Sequence, residues 1–264
     1  MSPIKPITLI LACFLALQAQ AAEPAKLVFC YEDQDSWPWV MLDDKGLNQA
    51  LFDRVQSALK LTIERQPMPW KRCLDGLARG QYDGAFASSF KAERQVMGHY
   101  PYRADGSLDT DKRLHRASYS LYRLRGSQAD WDGNTFTGIQ GRVASLSGFS
   151  IIDFLKAHGL DVEETSRDPL ALLRMLHGHR FEAAAMQTLR ADQLLASHPD
   201  LGEGIEKRPV PLEQKDYYLM LSNRLMDMNP SLAHAIWDEV ARQRESADYQ
   251  AQLKQVLAAT PHGN

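Results

Sequence analysis

The chain has 264 residues, of which 44% are hydrophobic and 24% charged, and its formal net charge is −3. This composition is typical of a folded protein and excludes a disordered chain or a multi-span membrane protein. The 30 basic and 33 acidic residues are interspersed and no basic block stands out, so we expect no nucleic-acid partner. The length suffices for one large or two modest domains with buried cores.

The first 21 residues have the pattern of a secretory signal peptide. Lys5 precedes an apolar run over residues 7–17, and residues 19–21 (AQA) form a small-x-small cleavage site. The run is about half the length that a transmembrane helix needs. We therefore expect cleavage near Ala21 and a periplasmic location. A lipoprotein signal that uses Cys13 is the alternative.

Two cysteines remain after cleavage, Cys30 and Cys73. Paired thiols tend to close in an oxidising compartment, so we predict a disulfide between them, with two free buried thiols as the alternative. The chain has no Cys-x-x-Cys motif, and none of its eight histidines lies near either cysteine in sequence. We expect neither a metal site nor a cofactor.

Apolar patterns in the mature chain predict alternating strands and helices. The first half reads strand, helix, strand, helix, strand over residues 26–31, 48–59, 61–64, 69–78 and 82–87. The order restarts after residue 125, with strands and helices over residues 142–146, 151–158, 169–177 and 181–186. Such an order predicts parallel strands covered by helices.

The repeated order favours two similar α/β lobes over one continuous sheet. Two alternating segments, residues 117–124 and 217–222, are predicted to cross between the lobes, and residues 231–257 are predicted to be helical. We expect a first lobe over residues 22–120, a second lobe over 121–216, and a return to the first lobe over 217–264. Two crossings and a cleft predict a hinged clamp that closes around a ligand.

Four short motifs follow one another along the mature chain. They are Gly-x-Tyr-Asp-Gly-Ala at residues 80–85, Ser88-Ser89 followed by Glu93-Arg94, Tyr-Pro-Tyr at residues 100–102, and Gly-Arg-Val-x-x-x-x-Gly at residues 141–148. In order and spacing they resemble the bacterial extracellular solute-binding proteins of family 3, the polar amino-acid-binding class. The resemblance implies an α/β, two-lobe class II periplasmic-binding-protein fold with two hinge crossings and a ligand held between the lobes.

The resemblance also implies which residues bind a ligand carboxylate. Arg94 matches an arginine whose guanidinium can donate two parallel hydrogen bonds to a carboxylate. Ser89, beside Ser88, matches a residue whose N–H and hydroxyl contact the same group. Ser150 matches a hydroxyl residue at a helix N-terminus, where free N–H groups favour anions. The alternatives are a surface arginine and an ordinary helix cap.

Three tryptophans are candidates for the other side of the cleft. Trp37 and Trp39 follow the first predicted strand at its carboxyl end, where ligands of α/β sheets gather. Trp70 matches a family aromatic that stacks on the ligand side chain. The alternative for each tryptophan is a place in the core.

One position departs from the family pattern. Members that bind α-amino acids often carry an acidic residue just past the second-lobe strand, where this chain has Gln187. Asp33 and Glu32 in the first lobe could supply the charge instead. An amino acid and a carboxylate without an α-ammonium therefore both fit.

We expect a monomeric solute-binding protein that delivers a small ligand to an ABC-transporter permease or a receptor. One alternative is a periplasmic enzyme on the same fold, similar to cyclohexadienyl dehydratase. Another is a non-transport module for sensing or assembly. No Ser/His/Asp order, zinc motif or phosphate loop is present in the sequence, so we expect no enzymatic activity.

Overall fold

The computed structural model describes residues 26–259. The predicted signal peptide, its cleavage site and Cys13 lie outside the described residues. Within residues 26–259, no helix has the length and apolar character needed to span a membrane.

The first part of the chain alternates strands and helices in the predicted order. Its elements are β1 (Lys26–Glu32), α1 (Leu47–Leu59), β2 (Thr62–Met68), α2 (Trp70–Ala78) and β3 (Gly84–Ser89). Strand β1 is central and pairs in parallel with both β2 and β3. Strand β2 continues beyond its predicted end at residue 64, because it pairs with β1 as far as Met68.

The alternation restarts after two short 3-10 helices, at Ala92–Val96 and Thr110–Lys112. The elements are β4 (His115–Leu124), β5 (Asp130–Trp131), β6 (Phe136–Thr137), β7 (Val143–Ala144), α3 (Ile151–Ala157), β8 (Val162–Glu163), α4 (Pro169–His177), β9 (Ala183–Gln187), α5 (Thr188–Ser197), α6 (Pro199–Gly204), β10 (Ile205–Lys207) and β11 (Glu213–Leu221). Helix α4 begins with Pro169 after Asp168, whose carboxylate accepts hydrogen bonds from two first-turn amides. The sequence analysis missed helices α5 and α6 and the four two- or three-residue strands β5, β6, β8 and β10.

Strands β4 and β11 are the two crossings. They pair antiparallel with each other, β11 also pairs with β3, and β4 also pairs with β9. The resulting sheet runs β2-β1-β3-β11-β4-β9-β7-β8, with β10 beside β4. The two-lobe expectation is confirmed, but the strands of the two lobes belong to one continuous hydrogen-bonded sheet. The preference for lobes over one continuous sheet was wrong on that point, because the crossings pair with strands of both lobes.

Apolar side chains form separate cores on the two sides of the crossings. The first lobe, built around β1–β3, buries a cluster that includes Phe29, Phe52 and Phe86. The second lobe, built around β7–β9, buries clusters that include Trp131 and Leu172. Each lobe is thus stabilised by its own burial of apolar surface.

The chain ends in helices α7 (Asn223–Met228), α8 (Pro230–Arg244) and α9 (Ala247–Ala258). Helix α7 was not predicted. The helical region predicted over 231–257 contains α8 and α9, and the Ser246 hydroxyl caps α9 by accepting from the amide of Tyr249. Trp237 and Tyr249 are buried in the first-lobe core. The indole of Trp237 donates to the carbonyl of Leu219 at 2.9 Å, which attaches α8 to β11.

The structure contains the predicted disulfide between Cys30 and Cys73. Cys30 lies in β1 and Cys73 in α2, and both are fully buried. The bond attaches α2, which carries Trp70, to the central strand of the first lobe.

The disulfide should form when the protein folds under oxidising conditions, and it should contribute to stability. A crosslink between residues 43 apart should stabilise the fold by about 3–4 kcal/mol in the chain-entropy description. Intact mass after alkylation under denaturing conditions, with and without prior reduction, measures the bond. Two alkylated thiols in the unreduced sample would contradict it.

Candidate functional site

A cavity lies where the two lobes meet the crossing strands. Five of the residues predicted to bind a ligand line it: Trp70, Ser89, Arg94, Ser150 and Gln187. Its other polar lining residues are Glu32, Ser36, Tyr119, Arg190 and Tyr217, and its apolar wall is Val40, Phe86, Ala87 and Phe149. The space open to the centres of water molecules is about 40 Å³, which holds about three waters.

Arg94 lies between the lobes and is only 5% exposed. One terminal nitrogen donates to the carbonyl of Ser89 at 2.7 Å, and the other donates to the carbonyl of Gly148 in the second lobe at 3.1 Å. Its guanidinium lies over the ring of Trp70, 5.5 Å from the ring centre. Gly148 has φ +81°, a conformation that favours glycine, and its carbonyl accepts from Arg94 across the cleft.

Ser89 and Ser150 meet across the cleft. Their hydroxyl oxygens are 2.7 Å apart, and both residues are buried. Ser89 ends β3 in the first lobe, and Ser150 directly precedes α3 in the second. The two hydroxyls and the Arg94 guanidinium therefore bring donors from both lobes to one end of the cavity.

Gln187 is part of a hydrogen-bond chain that joins the lobes to the crossing strands. Ser36 donates to its side-chain carbonyl at 3.0 Å, and its amide donates to the Tyr217 hydroxyl at 2.9 Å. Tyr217 donates in turn to the Tyr119 hydroxyl at 3.0 Å. A tyrosine hydroxyl that accepts one bond keeps its own proton, so Tyr119 can still donate to a group in the cavity.

Arg190, in the first turn of α5, lines the cavity and is 2% exposed. No atom of residues 26–259 accepts a hydrogen bond from any of its three guanidinium nitrogens. Burial lowers its pKa from 12.5 to about 10, a shift that the nearby Glu32 carboxylate opposes. Its guanidinium lies 6.0 Å from the centre of the Phe149 ring.

Glu32 is the acidic residue of the cavity. Burial is the main cause that raises the pKa of its carboxyl from 4.5 to about 7. Asp33 raises it further, whereas Arg190 and Arg167 lower it. One carboxyl oxygen is buried without a hydrogen-bond partner among the residues described.

Two ion pairs also cross the cleft at its rim. Arg167 of the second lobe pairs with Asp33 of the first at 3.1 Å. Lys91 of the first lobe pairs with Asp153 of the second at 2.6 Å. Together with the Arg94, Ser89 and Ser36 contacts, they hold the lobes against each other.

Four of the predicted ligand residues lie outside the cavity lining: Ser88, Asp33, Trp37 and Trp39. Ser88 faces the opposite side of β3 from Ser89, because side chains alternate along a strand, and it bonds to Tyr100 at 2.9 Å. Asp33 pairs with Arg167 at the rim. Trp37 lies in the turn after β1, which contains a cis Trp37–Pro38 peptide bond.

Trp39 supports the cavity from behind. It is buried and stacks on His115 with ring centres 4.2 Å apart. His115 stacks in turn on Tyr217 at 4.8 Å. Burial lowers the pKa of His115 to about 3, so the imidazole is neutral and packs as an aromatic ring.

Sequence reasoning missed Arg190, Tyr119 and Tyr217 as cavity residues. Tyr119 and Tyr217 lie on the two segments predicted as crossings, but the contact between them depends on the pairing of β4 and β11. Arg190 carried one usable signal. It lies three residues after the end of the buried strand β9, on the carboxyl side of that strand, where ligands of α/β sheets gather.

Solved structures with the same fold cover nearly the whole chain. The GluR0 ligand-binding core from Nostoc punctiforme, in complex with L-glutamate, has a TM-score of 0.68 at 14% identity over 89% of this chain and 100% of its own. An amino acid ABC transporter substrate-binding protein from Streptococcus pneumoniae, bound to L-arginine, has a TM-score of 0.67 at 16% identity over 90% and 97%. An ancestral arginine-binding protein bound to glutamine has a TM-score of 0.67 at 15% identity over 88% and 97%.

This chain has the two-lobe fold of the periplasmic binding proteins. No protein-family model and no curated protein matches the sequence. Across residues 26–259, no group of three or more His, Cys, Asp and Glu side chains is arranged to hold a metal ion. The cavity therefore has to be interpreted from its own residues.

The raised pKa of Glu32 predicts a pH-dependent loss of stability. The unfolded chain ionises this carboxyl near pH 4.5, whereas the folded protein holds the proton until about pH 7. Stability attributable to this residue should therefore fall as the pH rises through that interval. Glu32→Gln should remove the decline. The variant should therefore have a higher melting temperature than the wild-type protein at about pH 8 and the same melting temperature at about pH 4.

Thermal melts across this range measure the effect. Glu93 is exposed, so Glu93→Gln is the matched control. Its melting temperature should differ from that of the wild-type protein by the same amount at every pH. An offset for Glu32→Gln that does not change between the two pH values would contradict the prediction.

Proposed function

We propose that this protein is a monomeric periplasmic solute-binding protein that holds a small polar ligand, an amino acid or a related carboxylate, between its lobes. It would deliver the ligand to a membrane transporter or receptor. In this proposal residues 22–120 and 217–264 form one lobe, residues 121–216 form the other, and β4 and β11 act as the hinge.

The cavity at the lobe junction carries the proposal. Charged and hydroxyl side chains from both lobes converge there, namely Arg94 and Ser89 from the first and Ser150 and Arg190 from the second. A cavity with few polar groups against an apolar wall is the usual form of a small-molecule site. Because both lobes contribute donors, a bound ligand would favour the closed arrangement.

Arg94 and its neighbours suit a carboxylate. The guanidinium, the Ser89 hydroxyl and the Ser150 hydroxyl lie at one end of the cavity, with the Ser89 and Ser150 oxygens 2.7 Å apart. Trp70 and Phe149 provide apolar surface for the rest of a ligand. Charge-assisted hydrogen bonds are shorter and stronger than neutral ones, which makes Arg94 the expected carboxylate contact.

The comparisons support a binding role over an enzymatic one. The similar structures include a ligand-binding core in complex with L-glutamate and an amino acid ABC transporter substrate-binding protein bound to L-arginine. A histidine kinase sensor domain shares the fold as well, with a TM-score of 0.68. Delivery to a permease and presentation to a receptor are both consistent with these likenesses.

A thermal-shift screen over amino acids and small carboxylates tests the proposed function. A compound at 100 times its dissociation constant should add about 2.7 kcal/mol to the stability of the wild-type protein. Arg94→Ala should weaken binding of that compound about 100-fold, because hydrogen bonds to charged groups contribute about 1.5–3 kcal/mol each. Arg94→Lys should restore only part of the affinity, because an ammonium cannot donate as a planar fork.

Arg72 and Arg79 provide matched controls for Arg94. Both are exposed arginines of the same lobe, and their alanine variants should bind as the wild-type protein does. If Arg94→Ala binds the compound with an affinity within a few-fold of the wild-type value, Arg94 does not bind the ligand carboxylate. A screen in which no compound stabilises the wild-type protein would contradict the proposed function.

Ligand binding should also make the protein more compact. If the lobes separate by bending at β4 and β11, a ligand that bridges them should shift the population toward the closed form. Small-angle scattering with a compound from the screen should show a smaller radius of gyration. An unchanged profile at saturation would count against the hinge but not against binding.

A further inference from the structure

Arg190 differs from the other buried arginines of the described chain. Residues 26–259 contain three such side chains, Arg94, Arg190 and Arg244. Arg94 donates to two backbone carbonyls, and Arg244 donates to the carbonyls of Arg113 and Asp111. Arg190 donates to none of the described residues, although all three of its nitrogens are buried.

An unpaired buried guanidinium is costly to the folded state. Removing a charge from water is repaid only when nearby acceptors satisfy it. Arg190 could have avoided this cost by pointing outward, as the exposed Arg174 of α4 does. Its position on the cavity wall therefore indicates an acceptor that the protein itself does not supply.

The cavity as a whole carries a positive charge. Apart from tyrosines, its ionisable lining residues are Arg94, Arg190 and Glu32. With Glu32 ionised the formal charge is +1, and with Glu32 protonated it is +2. In both states a ligand with a net charge of −1 reduces the charge of a water-poor site, whereas a zwitterion leaves it unchanged and a cation increases it.

We propose, on the basis of the binding function above, that Arg190 is a second anion-binding residue of the cavity and that it selects small ligands with a net charge of −1. The ligand's anionic group accepts hydrogen bonds from the Arg190 guanidinium. A ligand ammonium or hydroxyl, where there is one, donates to the Glu32 carboxylate.

The surroundings of Arg190 support this assignment. Phe149 lies 6.0 Å from its guanidinium. Tyr119 lines the same cavity, and its hydroxyl can donate its remaining proton to the ligand's anionic group. A space for about three waters accommodates a carboxylate group and few additional atoms. A larger ligand would require the lobes to move apart slightly.

Two ligand classes share the required charge, an acidic amino acid and a short monocarboxylate without an ammonium. Matched neutral amides separate charge from shape in each class. The probes are L-glutamate against L-glutamine, L-aspartate against L-asparagine, and L-lactate against L-lactamide. Calorimetric titration of the mature protein should show the anion of at least one pair binding more tightly than its amide, by about 10-fold or more.

Variants of Arg190 then test its role. Arg190→Gln should reduce the ratio of anion to amide affinity toward one, and Arg190→Lys should keep part of it. Arg174→Gln, on an exposed helix face of the same lobe, should leave the ratio unchanged. The ratio of anion affinity to amide affinity measures the recognition of charge. If Arg190 had a purely structural role, its substitution would change both affinities alike and leave the ratio unchanged.

The outcomes separate this inference from the proposed function. An amide, L-alanine or L-arginine that binds at least as tightly as every anion would overturn the inference and leave the binding function in place. An Arg190→Gln protein that keeps the wild-type ratio would do the same. If none of these probes binds the wild-type protein at millimolar concentration, the inference falls, and the wider screen decides the proposed function.

Discussion

The antiparallel pairing of β4 with β11 is the contact on which the two-lobe arrangement depends. Each strand pairs with the other and also with a strand of one lobe, β3 for β11 and β9 for β4. The lobes can therefore separate only by bending or twisting these two strands. Tyr119 and Tyr217 lie on them, with hydroxyls 3.0 Å apart, so the cavity adjoins the two strands that join the lobes.

Ion pairs at the rim and more buried hydrogen bonds also join the lobes. The Asp33–Arg167 pair has side chains that are 29% and 49% exposed, and exposed ion pairs contribute about 0–1 kcal/mol each. The more buried contacts are those of Arg94 with Gly148, of Ser89 with Ser150 and of Ser36 with Gln187. Opening the cleft would break these hydrogen bonds, which contribute about 0.5–3 kcal/mol each, and would expose the cavity.

The cavity contains two ionisable side chains, Arg190 and Glu32, whose charged forms are poorly solvated. Arg190 has no acceptor among the described residues, and the pKa of Glu32 is raised to about 7 by burial. Both observations mean that ionised groups lie in a poorly solvated environment. Such groups are common at functional sites, because a ligand of complementary charge interacts strongly where water is excluded.

Local sequence patterns determined much of the architecture. Hydrophobic periodicity predicted the main strands and helices, whereas the expectation that Arg94 and Ser150 share a binding site came from the family resemblance. The disulfide followed from the presence of only two cysteines in the predicted mature chain. The strands, the helices and the disulfide were predictable because each depends on residues close in sequence or on simple counting.

Tertiary structure alone decided which side chains share the cavity. Arg190, Tyr119 and Tyr217 come from three elements, and their meeting depends on strand pairing between distant segments. Trp39 and Ser88 were predicted on the ligand side but face the core, because the direction of a side chain depends on register and turn geometry. Whether a buried charged side chain has a hydrogen-bond acceptor also depends on the assembled lobes. It cannot be predicted from the pattern of a single segment.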